Sequence, residues 1–298
     1  VNPRLLLTKM GQRWFRRFPT WENRIFVRNH FRNWCVRDEL LTRTSEGFSM
    51  LASPHDYVSY TIYFFGSYDP EMTCLLKAHV PEDGVCWDVG TERGWFSLLM
   101  GRLVGPQGRV DAFEAFPPSH KKLQANVALN RFTWIRAYNL AVSDSVGRMH
   151  FVPPSEEVTR QICSPSDNGG IGYLTQEPQH DSIEVPTTTL DQHAERNGLK
   201  RLDFIKMDIE GAEVAALRGA ERTIRRFRPK LVVEYNRQAA QRAASSVEEL
   251  DKLLESYNYD RFTYNGRLEK WRIERWKDYS DNEAVFNVYC FPQTNVDR

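Results

Sequence analysis

The stretch Gly84-Val-Cys-Trp-Asp88-Val-Gly90-Thr-Glu-Arg-Gly94-Trp-Phe-Ser97 constrains the fold more than any other. A short apolar run ends in an acid, two glycines follow four residues apart, and a helical apolar pattern begins at Trp95. This layout predicts a first parallel strand, a tight turn and a helix start. The glycines let backbone approach a ligand closely, and the turn's amides face that ligand where the helix opens. A dinucleotide phosphate site wants Gly-x-Gly-x-x-Gly and no carboxylate aimed at the ligand. Asp88 with Gly90 and Gly94 suits a ligand with a cationic end instead, such as the methionine ammonium of S-adenosylmethionine. The plainer alternative is an ordinary strand-turn-helix.

With 298 residues, 41% of them apolar and 12% aromatic, the chain can fill a sizeable core, which excludes global disorder. A net charge of +1 gives no overall pull toward nucleic acid, so no nucleic-acid partner is expected. The five cysteines have no paired spacing, which points to a reducing compartment, a cytoplasmic protein and no metal site. No apolar run approaches the roughly 18 residues a membrane span needs. Nothing in the sequence sets an oligomeric state.

Residues 1–47 read as a basic, aromatic helical extension ahead of a domain over 48–298. Within 1–43 ten basic side chains face three acids, with Trp14, Phe15, Phe18, Trp21, Phe26, Phe31 and Trp34 interleaved. Such a segment can pack as a helical cap with its arginines in water, or it can meet an anionic membrane surface or an acidic partner. The cap is the favoured reading.

Beyond Gly94 the chain alternates. Phe96, Leu99 and Leu103 keep helical spacing; Arg109 to Ala115 reads as a second strand closing at Glu114; Pro117-Pro118 opens a helix. An acid closing the second strand of such a unit can accept from both vicinal hydroxyls of a nucleotide ribose. Thr133 to Ser143 reads as a third strand, Arg148 to Val152 as an extra one, and 153–180 as a polar loop near an acceptor pocket or an irregular surface insertion. Ile183 to Thr189 is another strand. Phe204, Ile205 and Met207 form a buried strand that delivers Asp208, Glu210 and Glu213 to its carboxyl end, where ligands bind in open α/β sheets. One helix follows with Val214, Leu217, Ile224 and Phe227 on a face. Lys230 to Tyr235, a helix capped by Ser246-x-x-Glu249, and strands at 261–264 and 284–291 complete the pattern.

These motifs stand in order: Gly-Ser-Tyr68-Asp-Pro-Glu71, Asp88-Val-Gly-x-x-x-Gly94, Val-x-Ala-Phe-Glu114, Ala141-Val-Ser-Asp, Thr-Thr-Leu-Asp191, Lys206-Met-Asp-Ile-Glu-Gly-Ala-Glu213 and Pro229-x-Leu-Val-Val-Glu234. The chain closely resembles the FkbM family of S-adenosylmethionine-dependent methyltransferases over about residues 48–260. The resemblance implies a class I methyltransferase α/β fold, a Rossmann-like, seven-stranded, mostly parallel sheet with helices on both faces. It implies S-adenosyl-L-methionine as cofactor, held by Tyr68, Glu71, Asp88, Gly90, Thr91, Gly94, Glu114, Ala141 and Asp208. Two departures stand out. The family usually reads Asp-Val-Gly-Ala-Asn in the loop, where this chain has Thr91-Glu92, and Glu-Pro after the second strand, where it has Glu114-Ala115.

Methyl transfer is an in-line displacement that owes much of its rate to alignment. A hydroxyl acceptor must also lose its proton, for which a placed base contributes about 10²–10⁴-fold. Asp208, Glu210 and Glu213 are the candidates, with Lys206 neutralising or orienting them or pairing structurally with Glu213. The leading expectation is O-methylation of a small-molecule or glycan acceptor, a carbohydrate or secondary metabolite. N-methylation of an amide or peptide, and a cofactor-binding scaffold without turnover, are the alternatives.

Overall fold

The structure, a computed structural model, describes residues 2–55, 57–153, 172–265, 272–275 and 285–293. Two helices, α1 (Pro3–Arg17) and α2 (Trp21–Asn29), lead into the hairpin of β1 (Leu40–Arg43) and β2 (Ser49–Ala52), then α3 (Tyr57–Phe65) and α4 (Pro70–His79). The first parallel strand is β3 (Val85–Val89). Helix α5 (Trp95–Val104), strand β4 (Arg109–Phe113), helix α6 (Pro117–Asn130) and strand β5 (Ile135–Tyr138) follow. The chain continues through β6 (Ala141–Val142), β7 (Gly147–Val152), β8 (Tyr173–Thr175), β9 (Ile183–Thr188) and α7 (Leu190–Arg196). Strand β10 (Phe204–Met207), helices α8 (Glu213–Arg218) and α9 (Glu221–Phe227), and β11 (Lys230–Tyr235) come next. Helices α10 (Arg237–Arg242) and α11 (Val247–Ser256) precede strands β12 (Tyr259–Asn265), β13 (Arg272–Arg275) and β14 (Phe286–Pro292).

The large sheet runs β13-β12-β14-β11-β10-β3-β4-β5. Strands β11, β10, β3, β4 and β5 are parallel; β14 is antiparallel to β11, and β12 to β14, so β12 again runs with the parallel set. Strand β13 adds an eighth member at the edge, one more than the family pattern implies. A smaller sheet, β6-β9-β7-β8, stands beside it.

Parallel strands covered on both faces are buried on both sides and send alternate residues to opposite cores. Cys86, Phe204 and Val232 join one cluster with Leu75, Leu98, Leu99 and Val110. Trp87, Ile205, Leu231 and Val233 join the other with Leu217, Leu250 and Leu254. Phe15, Val27 and Phe31 of the N-terminal segment lie in the first cluster, against Phe64 and Phe65.

Three elements differ from the sequence expectation. The segment 133–143 is two strands in two sheets, because Asn139 Nδ2 donates to the Glu114 and Ala115 carbonyls at 2.8 and 3.0 Å and turns the chain off the large sheet. The helix after Glu213 breaks at Gly219. Asp191 supplies the reason: its carboxylate accepts from the Arg222 and Thr223 amides at 3.1 and 2.7 Å and so caps a second helix. Finally, the aromatic helix α3 is an element that the sequence pattern did not announce. Of the loop expected over 153–180, residues 154–171 lie outside the described residues, while Tyr173–Thr175 form β8.

Candidate active site

The site forms where β3, β4, β10 and β11 end. Gly90 sits at φ 82°, and a Cβ there would lie 1.8 Å from the Asp208 carbonyl oxygen. This glycine therefore serves first to let the loops after β3 and β10 cross, a use the sequence pattern did not distinguish from close approach of a ligand. The loop closes with the Gly94 amide on the Thr91 carbonyl at 2.8 Å, and Thr91 is buried. Asp88 has no exposed surface. Ser97 Oγ donates to its Oδ2 at 2.5 Å, and its Oδ1 lies 3.7 Å from Lys206 Nζ. Asp88 thus braces the strand end against the start of α5 from beneath, and burial raises its pKa in spite of Lys206 and Ser97.

Glu114 follows β4, as the pattern requires. Its Oε2 accepts the Glu92 amide at 2.7 Å and its Oε1 the Phe116 amide at 2.9 Å. Burial pushes its pKa up to about 7 against those two bonds. A carboxylate has about four lone-pair sites, so one remains on each oxygen for a pair of vicinal hydroxyls. The other expected contacts surround this cradle. Tyr68 packs edge-on to Trp95 and close to Phe96, at 6.4 and 5.9 Å between centroids. Glu71 accepts from Tyr289 Oη at 3.0 Å, which ties α4 to β14. Ala141 is buried in a third cluster with Ala212, against Ala115, Phe116 and Ile209.

The second half is acidic. In the register of β10 with β3, Lys206 stands opposite Asp88. Its ammonium donates to the Gly90 carbonyl at 2.8 Å, lies 3.3 Å from Asp208 Oδ2, and stands 5.4 Å over the Phe96 ring. Burial acts to lower the Lys206 pKa, and Asp208 and Asp88 more than reverse it, so the residue stays charged. Its ion pairs are with these two acids and not with Glu213. Glu213 instead turns inward to accept the Ile209 amide at 2.9 Å, and burial pushes it up to about 7. It serves as a cap on the turn into α8.

Glu210 occupies the left-handed region at φ 57°, followed by Gly211 at φ 104°. A Cβ at Gly211 would meet the Ala239 carbonyl oxygen at 2.2 Å, so the turn presenting Glu210 requires glycine there. Glu210 is buried, its Oε2 makes no hydrogen bond with a described residue, and Arg242 stays 3.9 Å away. Burial, then Asp208 and Glu213, push its pKa up to about 8.

Glu234 belongs here as well. The pairing Met207↔Val233 sets Asp208 and Glu234 side by side at the ends of β10 and β11. Asp208, Glu210 and Glu234 each bring a carboxylate oxygen within 4.8 Å of the others, close enough to share a cation. Burial and this crowding raise Glu234 well above its ordinary value. The sequence displays Glu234 as a strand-end acid, but only the strand pairing brings it to the site. Asp69, the left-handed N-cap of α4, is a further neighbour, raised by burial first and then, among other influences, by the Asp208 charge.

This donor set fits S-adenosylmethionine. Glu114 offers free lone pairs to a ribose, and buried Asp88 Oδ1, Glu210 Oε2 and Glu234 Oε2 have no hydrogen-bond donor among the described residues. Several carboxylates face one ammonium from Lys206, a balance that a ligand bearing a sulfonium and an ammonium, with net charge +1, improves.

The model of the methyltransferase FkbM domain family matches residues 88–261. The chain is 31% identical over 158 residues to methyltransferase 1 of Beauveria bassiana (strain ARSEF 2860), which covers 50% of this chain and 63% of that protein. It is 30% identical over 171 residues to the 31-O-demethyl-FK506 methyltransferase FkbM of Streptomyces tacrolimicus, covering 50% of this chain and 64% of that protein. It is 26% identical over 186 residues to the 2-O-methyltransferase NoeI of Sinorhizobium fredii (strain NBRC 101917 / NGR234), covering 59% and 72%. The chain thus spans less than two thirds of the length of the first two of these relatives.

Proposed function

Because this chain belongs to the FkbM methyltransferase family, with S-adenosylmethionine as its methyl donor, we propose that it methylates a hydroxyl oxygen on a small carbohydrate or secondary metabolite. The observation that carries the oxygen assignment is Glu210, a buried carboxylate with an oxygen that makes no hydrogen bond among the described residues and a pKa near 8, at the strand ends where ligands bind. A base works best when its pKa lies near the working pH. Two relatives whose names specify O-methylation support the same assignment.

When bound, S-adenosylmethionine supplies an electrophilic methyl group on a sulfonium. The chain's residues have separable tasks. Glu114 accepts the ribose hydroxyls. Lys206 holds Gly90, Asp88 and Asp208 in one arrangement, so the acidic wall keeps its shape without a ligand. Glu210, once ionised, takes the acceptor's proton. Burial first, then the charges of Asp208 and Glu213, keep that proton on Glu210 and so adjust its strength as a base.

A mass-shift screen of hydroxylated sugars and metabolites, with S-adenosylmethionine present, tests this reading. It expects products heavier by one methylene and stable to conditions that cleave methyl esters. Products methylated on nitrogen would overturn the oxygen assignment. Tight cofactor binding with no methylated product from any acceptor class would favour a scaffold.

A further inference from the structure

The N-terminal helices present two different faces, and the site above uses neither. Helix α1 buries Thr8, Gly11 and Phe15. That face is fixed in place. Phe15 packs edge-on to Phe31 and Phe64 at 5.1 and 5.9 Å, and a Cβ on Gly11 would collide with the Phe31 ring. Arg16 donates to the Arg43 carbonyl and to Thr42 Oγ1, both at 2.7 Å, and Gln12 to the Tyr63 carbonyl at 3.0 Å. The helix cannot roll to bury another side without breaking these bonds.

One flank of α1, between the buried face and the far side, is apolar and in water. Leu6, Met10, Trp14 and Phe18 recur every four residues, which places them on one row of the helix. All four are exposed, Met10 and Trp14 by 58% and 59%. Trp21, three residues beyond Phe18 at the start of α2, is 72% exposed, and Ile25, Phe26 and a third indole, Trp34, are exposed as well. Lys9, Arg13 and Arg17, also exposed and also four apart, form a neighbouring row. Helix α1 carries no acid at all.

We propose that this face lies in the plane of an anionic lipid surface, with the apolar row in the headgroup boundary and Lys9, Arg13 and Arg17 on lipid phosphates. An exposed apolar row flanked by basic residues and indoles is the composition of an interfacial helix, and long basic stems reach polar headgroups while their chains cover apolar surface. Tryptophan favours that boundary because its ring is apolar and its N–H is not. No helix among the described residues is long and apolar enough to cross a membrane, so the contact is in-plane. A second copy of the chain is a poorer occupant. A two-fold interface built on this patch would gather the basic rows of both copies with no acid on α1 to pair them.

Flotation of the full chain with phosphatidylcholine vesicles, with and without phosphatidylglycerol, tests the proposal. Two double variants are needed, Trp14→Ser with Trp21→Ser and Arg13→Glu with Arg17→Glu, each checked by thermal melting. The expected result is salt-sensitive binding to the anionic vesicles only, weakened at least tenfold by either variant while melting is unchanged. Quenching of the wild-type tryptophan emission by brominated lipid provides a readout that needs no variant. No binding to anionic vesicles overturns the proposal, whatever acidic proteins the chain captures. So does binding that survives in both variants, or light scattering that shows a dimer built on this face and unable to bind vesicles.

Discussion

Glu92 donates its backbone N–H to Glu114 Oε2 at 2.7 Å from the left-handed region, at φ 52°. The loop residue that departs from the family's usual asparagine is thus the one that aims the carboxylate expected to take the ribose. Asparagine adopts that backbone readily and glutamate does not. The Glu92 side chain offsets part of the cost by accepting from Arg93 Nε at 3.1 Å. Arg93 in turn reaches Ser59 Oγ at 2.6 Å and Glu39 at 3.4 Å, so the cofactor loop is tied to α3 and to the N-terminal segment.

Glu92→Asn should therefore raise stability by about 1 kcal/mol, since a left-handed non-glycine residue carries a strain of that order. Cofactor affinity should hold, because the amide that meets Glu114 is backbone. Thermal melting checks the first point and calorimetry the second. A lower melting temperature would mean that the Arg93 contact outweighs the strain.

Glu114→Ala should weaken S-adenosylmethionine by at least roughly tenfold. Hydrogen bonds to a charged group are worth about 1.5–3 kcal/mol each, and about 1.4 kcal/mol is one decade. The variant also strips the Glu92 and Phe116 amides of their acceptor, so some stability is lost with it. Unchanged affinity by calorimetry would remove Glu114 from the ribose site.

Much of this was legible beforehand, for local reasons. The glycine loop, the strand-end acids and the Ser246 cap depend on short-range pattern, and the Glu249 amide does bond Ser246 Oγ at 3.1 Å. What escaped depended on tertiary partners. Tyr57–Phe65 is aromatic and β-branched, the composition of a strand, yet forms a helix because Ile62, Tyr63 and Phe64 are all buried in one core. Glu213 resembled a catalytic acid in sequence, and only the inward turn to Ile209 marks it as a cap. Glu234 needed the β10–β11 register to join Asp208.

Lys206→Met should destabilise the fold by about 3–5 kcal/mol, the usual cost of leaving buried charges without a partner. Asp88 is fully buried and would keep only Ser97, and the Gly90 carbonyl would lose its donor. Urea denaturation measures the loss. A loss below about 1 kcal/mol would show that Asp88 and its neighbours simply take up protons.

Stability should fall as pH rises from the ordinary carboxylate range to about 8. Glu114 and Glu213 near 7 and Glu210 near 8 keep protons in the folded state that the unfolded chain releases near pH 4.3. Their contribution is complete below the unfolded value and lost as pH rises through the folded ones. His55 and His79 lie below the ordinary imidazole value, mainly through burial, and act in the opposite sense only below about pH 6.5. Asp111 is lowered: burial pushes it up, and bonds from His193 and Arg109 overcome that, so its contribution is lost only as pH falls below the ordinary aspartate range. The ligand-free chain should melt progressively lower as pH rises from about 5 toward about 8, the two histidines only reducing the slope below about pH 6.5. Because two positive charges on the cofactor favour ionised acids, S-adenosylmethionine should bind more tightly over the same rise. Melting temperatures that climb from pH 6.5 to 8 would contradict the assignment of these three carboxyls.

Glu210→Gln separates binding from chemistry. The amide is neutral, similar in shape to the protonated acid that dominates below about pH 8, and it fits where an unpaired charge does not. Fold and cofactor affinity should therefore stay within about twofold of the wild type, since Glu210 is not needed at the ribose, whose carboxylate is Glu114. Turnover should fall by about two or more decades, the scale of a lost general base. The wild type should gain activity through about pH 8 as Glu210 ionises, and the variant should lack that limb. Its residual rate should rise only where the acceptor hydroxyl itself begins to ionise. If the limb persists in Glu210→Gln, the titrating base is another member of the cluster, and Glu234→Gln, the next neighbour of Asp208, should then remove it. Collapse of cofactor affinity in Glu210→Gln would place Glu210 at the methionine end of the cofactor, with Asp208 as its companion, and leave proton removal to the acceptor's own acidity.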